Sequence, residues 1–478
     1  MTMRLLEGSC VFTASFLVVL TWCVGNVEAQ QPAQQRAGGH PSDSKNMVLV
    51  GYHDLQTRPA YQPVIQKQGD QWIAYVGLIG GNALNPLTGK VEWNGTMIVD
   101  VTDPRNPKTL SHIPGDTEVV SREGSGSQMN RACTINGKSY LLRSYGSKRH
   151  ELWNVTSPSE PRFVGSVLDG LNSVHKNWWE CDTGIAYIVS GDPAWRARMT
   201  KIYDLSNPES PVLVRDFGLP GQEPGSQMEP APTDLHGPIV LGDRVYFGYG
   251  SSSGAIVQIV NRDKLLHGDP KPTPENLLYP QIGRVDLSPF WGGHTTFPVL
   301  GMEIPDYKDN LHGKVRDFIV MPSESTQNEC REFRHAVFFI DITNPATPTP
   351  VANFQVPESE GNFCERGGRF GPHATNESFT PIYYKRIVFI SYFNAGVRAL
   401  DIRDPFHPRE IAYYIPATTA NTEPSCLTVD GQERCKVAIQ TNNVEVDDRG
   451  FIYIVDRVKT GMHILELTGT ARSIANFP

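Results

Sequence analysis

Four histidines of this 478-residue chain stand in related settings: Ser173-Val-His175, Asp234-Leu-His236, Gly292-Gly-His294 and Gly371-Pro-His373. Steps of 61, 58 and 79 residues separate them (175 to 236, 236 to 294, 294 to 373). Neutral imidazole is a ligand for zinc, copper, iron or nickel. Four imidazoles on one ring could therefore hold a single cation and leave an axial position open, as a catalytic metal requires. Four neutral nitrogen donors favour iron or copper. Zinc is the further option, since catalytic zinc usually has three protein ligands and structural zinc closes all four positions. The competing role is structural: a histidine at such a position can hydrogen-bond a neighbouring turn, and repeat descent would copy it.

The elements that must bring these residues together are marked by a recurring phrase. Asp100-Val-Thr-Asp-Pro-Arg-Asn-Pro107 returns from Asn154 to Pro161, Asp204 to Pro211, Asp341 to Pro348 and Asp401 to Pro408. Each copy follows a short β-rich run, and its Asp or Asn can bond its own backbone before Pro fixes φ for a turn. The second Pro then begins an outer strand, where a missing N–H costs little. Weaker copies end at Asn261 and Glu466, so the anchors at 100, 154, 204, 261, 341, 401 and 466 count seven units. Seven units of about four strands fit an all-β, seven-bladed β-propeller spanning 46–478. A β-solenoid is the runner-up, although its repeats would be shorter and more uniform. The strand around Met47–Val50 is expected to complete the last unit. In this frame the third to sixth blades each begin an inner strand with a histidine, and Gln62, Asn130 and Asn443 fall near the same phase in the others.

Composition narrows the function classes. With 43 Lys and Arg against 51 Asp and Glu, the formal charge is −8, and no basic cluster suggests a nucleic-acid or anionic-membrane partner. Arg4, the apolar run 10–25 and Val27-Glu28-Ala29 read as a secretory signal cleaved before Gln30, with an uncleaved anchor as the alternative. The apolar run is short for a membrane span. Residues 30–45 read as a disordered leader. A secreted or periplasmic location follows. Six cysteines remain after residue 29, an even number that suits disulfides in an oxidising compartment. Cys426 with Cys435 is the leading pair, then Cys330 with Cys364 and Cys133 with Cys181, although six cysteines allow about 15 pairings.

The phrase resembles that of the LVIVD-repeat family, secreted bacterial β-propellers, over nearly all of the mature chain, including Gly51 to Pro59 and Thr441 to Gly450. That resemblance implies the fold and leaves the activity open. The histidine pattern is also similar in architecture to the carotenoid-cleavage oxygenases, propellers whose iron is held by four axial histidines oriented by glutamates. By that analogy Glu180 and Glu445 would orient the imidazoles. The histidine-bearing selenium-binding and methanethiol-oxidase propellers offer a second architectural analogy.

Other candidates are channel residues. His53 precedes the first blade and could reach a channel mouth, or it is a loop histidine. Trp178 and Trp291 neighbour two ring histidines and could wall an apolar ligand, or pack between blades. Arg143 and His150 flank an expected hairpin and read as exposed. Neither His-Glu-x-x-His nor a phosphate-binding Gly-x-x-x-x-Gly-Lys-Ser/Thr loop occurs. Two functions compete. One is a metal-dependent oxidoreductase of oxygenase or oxidase type, with a hydrolase less favoured, acting on a small organic substrate. The other is a non-catalytic scaffold binding a secreted or envelope protein, a glycan or another envelope component through loops such as 301–335 and 417–436.

Overall fold

The recurring phrase folds as two turns in succession. Asp100, Asn154, Asp204, Asp341 and Asp401 each accept, through the side-chain oxygen, the backbone N–H two residues on, at 2.8–3.1 Å. Asp103, Asn207, Asn344 and Asp404 repeat the contact. The hydroxyl between them reaches back: Thr102 accepts from the Trp72 N–H, Thr156 from Ser139 and Thr343 from Asp317. Each phrase thus ends one strand, clips it to the strand before and starts the next.

The computed structural model describes residues 38–117, 125–250, 254–304, 311 and 313–478. Among the described residues seven antiparallel sheets of four or five strands follow one another along the chain, with two further two-stranded hairpins. Blade 1 is Ala60–Gln68, Gln71–Ile79, Thr96–Asp100 and Lys108–Ile113. Blade 2 is Asn130–Ile135, Lys138–Tyr145, Arg149–Asn154 and Arg162–Leu168. Blade 3 is Val174–Trp179, Ile185–Ser190, Met199–Asp204 and Val212–Phe217. Blade 4 is Leu235–Leu241, Arg244–Tyr249, Ile256–Asn261 and Gln281–Asp286. Blade 5 is Phe297–Glu303, Val315–Pro322, Val337–Asp341 and Thr349–Phe354. The result is an all-β, seven-bladed propeller of four-stranded blades.

The last two blades borrow strands from the start of the chain. Ile387–Ser391, Val397–Asp401 and Arg409–Ile415 are joined by Asp43–Lys45 to make blade 6. Thr441–Val446, Ile452–Asp456 and Met462–Leu467 are joined by Met47–His53 to make blade 7. The weak anchors explain themselves here. Asn261 lacks the prolines and caps a short helix, Arg262–His267, by accepting from the Lys264 N–H. After Met462–Leu467 the chain turns into the helix Gly469–Ile474, so the fourth strand comes from residues 47–53. Gly51 on that strand lies against Pro104 of the first phrase, where any Cβ would overlap the Pro104 carbonyl.

Residues 38–45, read from composition as part of a disordered leader, are instead built in. Asp43–Lys45 pairs with 413–415, and the His40 N–H bonds the Thr418 hydroxyl. Composition alone misses this because a sheet edge rewards backbone pairing whatever the side chains. The segment 1–29, read as a signal, lies outside the described residues. Among the described residues no helix is long and apolar enough to cross a membrane.

Adjacent blades share their cores: Val76 and Met97 of blade 1 pack with Tyr453 and Ile464 of blade 7. Three disulfides form, Cys133–Cys181, Cys330–Cys364 and Cys426–Cys435. They point to an oxidising, extracytoplasmic environment. The first ties blade 2 to the end of the inner strand of blade 3. The second ties the loop after Val315–Pro322 to the segment leading into blade 6.

Removing residues 38–53 strips the outermost strand from two blades and bares their edges. The shortened protein is expected to melt well below the full chain and to aggregate in size-exclusion chromatography. An unchanged melting temperature and a monomeric elution would contradict this ring closure.

Candidate functional site

Several of the inner strands are bulged near their starts. Register shifts fall between Ala60 and Pro63, Val174 and Asn177, Leu235 and Gly237, and Thr441 and Asn443. A bulge lets successive side chains share one face of a strand. In blade 3 it places His175 beside His236, while Lys176 joins a group of buried charges. Gly237 makes room for that lysine, since a Cβ there would overlap the Lys176 side chain.

The four histidines meet. His175 Nε2 lies 2.9 Å from His236 Nε2. The rings of His236 and His294 are 3.5 Å apart between centroids, and those of His294 and His373 are 4.4 Å apart. In blade 6 the inner position is held by a short run rather than a regular strand: the His373 N–H donates to Ser391 O, and the Ser391 N–H to Ala374 O. The other ring nitrogens are held from behind. His236 Nδ1 donates to the carbonyl of His294 at 2.9 Å, and His373 Nδ1 to that of Asn442 at 2.5 Å. His294 Nδ1 bonds the Thr295 hydroxyl at 3.0 Å. A carbonyl only accepts, so in His236 and His373 the proton sits on Nδ1 and Nε2 presents its lone pair.

Burial holds these imidazoles neutral. It pushes His373 down to about 3, and His175, His236 and His294 well below the usual histidine range, with neighbouring cations and imidazoles acting in the same direction. Among the described residues the buried Nε2 atoms of His294 and His373 find no hydrogen-bond partner. Both face Glu324, whose carboxylate oxygens lie 3.9 Å from His294 Nε2 and 3.6 Å from His373 Nε2. One ligand atom from each of His294, Glu324 and His373 falls within 4.8 Å of the others. Burial raises Glu324 to about 7, and Arg369, 3.3 Å away, pulls it back toward the carboxylate.

Alongside the histidines lies a cluster of buried charge. Glu377 receives both Lys176 and Arg131, and Gln62 Nε2 donates to it at 3.4 Å. Glu445 accepts from the N–H groups of Ser378 and Val446, and burial raises it to about 7. Two cations thus sit with two carboxyl groups.

The remaining sequence candidates separate by position. Gln62 also accepts from the Asn130 N–H, and the Asn130 side chain accepts from Thr96. Asn443 accepts from Asn442, whose amide also reaches the Tyr61 carbonyl. These three are buried parts of the inner-strand wall. Blade 1 instead sets Tyr61 against the histidines, edge-on to His175 at 6.0 Å and to His373 at 5.8 Å. Glu180 does not orient an imidazole: it pairs with Arg262 at 2.8 Å, beyond the far end of the blade 3 inner strand. Glu445 spends its oxygens on backbone N–H groups, so backbone carbonyls and Thr295 take the orienting role. His53 lies on the outermost strand of blade 7, bonded to Leu55 N and to Thr109, away from the ring. Trp178 packs under the Arg131 guanidinium at 4.7 Å, and Trp291 packs on Phe338 with its N–H on the Arg334 carbonyl. Both fill space within and between blades. Arg143 and His150 are buried, with Arg143 paired to Glu151 at 2.8 Å.

Sequence reasoning missed Glu324 and Tyr61. Glu324 sits on the loop after Val315–Pro322, outside the repeating phase. Its signal was modest: an acidic residue directly after a second strand, at the end where the histidines gather. We expect Glu377→Gln to destabilise the protein by about 3–5 kcal/mol in urea unfolding, because it leaves two buried cations without their carboxylate. Glu180→Gln should cost less, because it frees a single cation, Arg262, whose side chain keeps 21% of its surface in solvent. Equal costs would contradict the buried-charge assignment.

No family model and no curated protein matches the sequence. Among solved structures the chain is similar to the crystal structure of Chaetomium thermophilum Sqt1, at 8% identity and a TM-score of 0.48. The alignment covers 89% of this chain and 99% of that one. The propeller assignment therefore rests on the strand order described above.

Proposed function

We propose that this is an exported propeller metalloprotein of the LVIVD-repeat kind, with 1–29 as its cleavable signal and the periplasm or exterior as its location. His294, His373 and Glu324, joined by His236 and His175, hold one transition-metal ion. The ion serves an oxidoreductase of oxygenase or oxidase type on a small organic substrate. The observation that carries this reading is the convergence of two buried, unpartnered Nε2 atoms on one buried carboxylate. Orphaned polar atoms in a core are costly, and a cation would satisfy both at once.

The donor set fits. Two histidines and a carboxylate with further positions open suit iron(II), and added imidazoles suit copper, with zinc third. Neighbouring corners of one coordination shell are about 3 Å apart for bonds of about 2.1 Å, close to the 2.9 Å between His175 and His236. The bound ion would supply activation of dioxygen or water. The chain's own contribution is to fix the imidazoles through Nδ1, keep them neutral by burial and hold Glu324 with Arg369. The scaffold alternative draws on one feature, the stacked pair Phe290 and Phe333, 61% and 51% exposed, with centroids 5.4 Å apart.

Elemental analysis of the exported protein tests the choice. We expect about one iron, copper or zinc per chain, lost in His294→Ala, His373→Ala and Glu324→Gln while Glu180→Gln retains it. Thr295→Ala should lower metal affinity by about tenfold or more, as loss of an imidazole's outer partner does. A folded wild type that takes up no metal when offered each ion in excess would leave the scaffold reading.

A further inference from the structure

Two arginines gather beside the histidines in a chain whose formal charge is −8. Arg369 reaches Glu324 at 3.3 Å and also stands 5.5 Å from the centre of the Phe393 ring. Arg457, on the loop between the second and third strands of blade 7, stands 5.9 Å from the same ring. Phe393 in turn lies 5.0 Å from His373. One aromatic ring therefore separates two guanidinium groups from a candidate ligand. Arg198, on the corresponding loop of blade 3, acts electrostatically on Tyr61 together with these two, and on Glu324 together with Arg369.

Arg369 and Arg457 also line a cavity of about 370 Å³, with Asn328, Ser425, Gln440 and Val458. That volume lies in the range of small-molecule sites. The cavity is built rather than incidental. The hairpin carrying Cys426–Cys435 forms one side, Asn328 Nδ2 bonds the Cys426 carbonyl at 3.1 Å, and Gln440 Oε1 fixes the Arg369 N–H at 2.9 Å. Guanidinium groups recognise carboxylate and phosphate oxygens through paired N–H donors. A cationic recess also concentrates anions against an acidic exterior.

We infer that the cavity beside the histidine cluster takes a small organic oxyanion, a carboxylate or a phosphate ester, gripped by Arg369 and Arg457. This deepens the proposed function and rests on it for the statement that the anion is the substrate. Arg369 then links the two halves of the site, touching the Glu324 carboxylate while lining the anion cavity.

Calorimetric titration of the purified protein with benzoate, inorganic phosphate and the neutral benzamide tests it, with metal content and melting temperature measured on the same samples. Benzoate or phosphate should bind and benzamide should not, with the bound ion identifying the carboxylate or phosphate class. Arg457→Gln should weaken that binding by about tenfold or more, the loss expected for a charged hydrogen bond. Arg457→Lys, which keeps charge without the fork, should fall between. Both variants should retain their metal. Failure of both anions to bind a metal-replete wild type would overturn the inference, as would unchanged affinity in a folded Arg457→Gln. Anion binding that depends on Arg457 in a protein holding no metal would uphold the cavity and sink the metal reading alone.

Discussion

Met47 opposite Leu467 and His53 opposite Met462 place the start of the chain on its end. That pairing is the constraint on which the other features depend. Seven sheets arranged radially have no stable open form, because the first and last would each expose an apolar face. The shared core of Val76, Met97, Tyr453 and Ile464 is the seam that closure creates. Blade 6 is strapped in the same way by Asp43–Lys45. Only when the ring is shut do His175 and His373, 198 residues apart (373 − 175), become neighbours in one cluster.

Closure also sets the electrostatics. Groups that would be solvated on an open sheet are sealed around the axis, where an unpaired charge is expensive. The chain answers in two ways. Arg131, Lys176, Glu377 and Glu445 balance one another, and the histidines stay neutral. In His236 and His373, Nδ1 is committed to carbonyls, which leaves their Nε2 lone pairs directed inward, the state the proposed metal ion needs. The geometry that stabilises the propeller thus prepares the donor set.

Much of this was legible in the sequence, for a physical reason. The turn phrase works through local side-chain to backbone bonds, so it announces itself wherever it occurs; Asp100 and Asp341 do the same job 241 residues apart (341 − 100). The anchors count the blades correctly even where Asn261 and Glu466 lack the prolines. The three disulfide pairs also agree with the leading candidates. What escaped depends on non-repeating geometry. A bulge next to Gln62 hands the ring position to Tyr61, an offset that no periodic reading detects. Glu324 arrives from a loop whose path is set by tertiary contacts. Glu180 entered by architectural analogy, yet it lies five residues beyond His175 on an extended strand, whose rise of about 3.3 Å per residue carries it away to Arg262.

The proposed metal ion would sit between His294, His373 and Glu324. Anomalous diffraction from crystals of the exported protein, collected across the iron, copper and zinc edges, tests it most directly. The expected result is a single strong peak within about 2.0–2.2 Å of both Nε2 atoms and a Glu324 oxygen. A metal-replete crystal with its peak elsewhere, or an axis without anomalous signal after soaking in each ion, would contradict it.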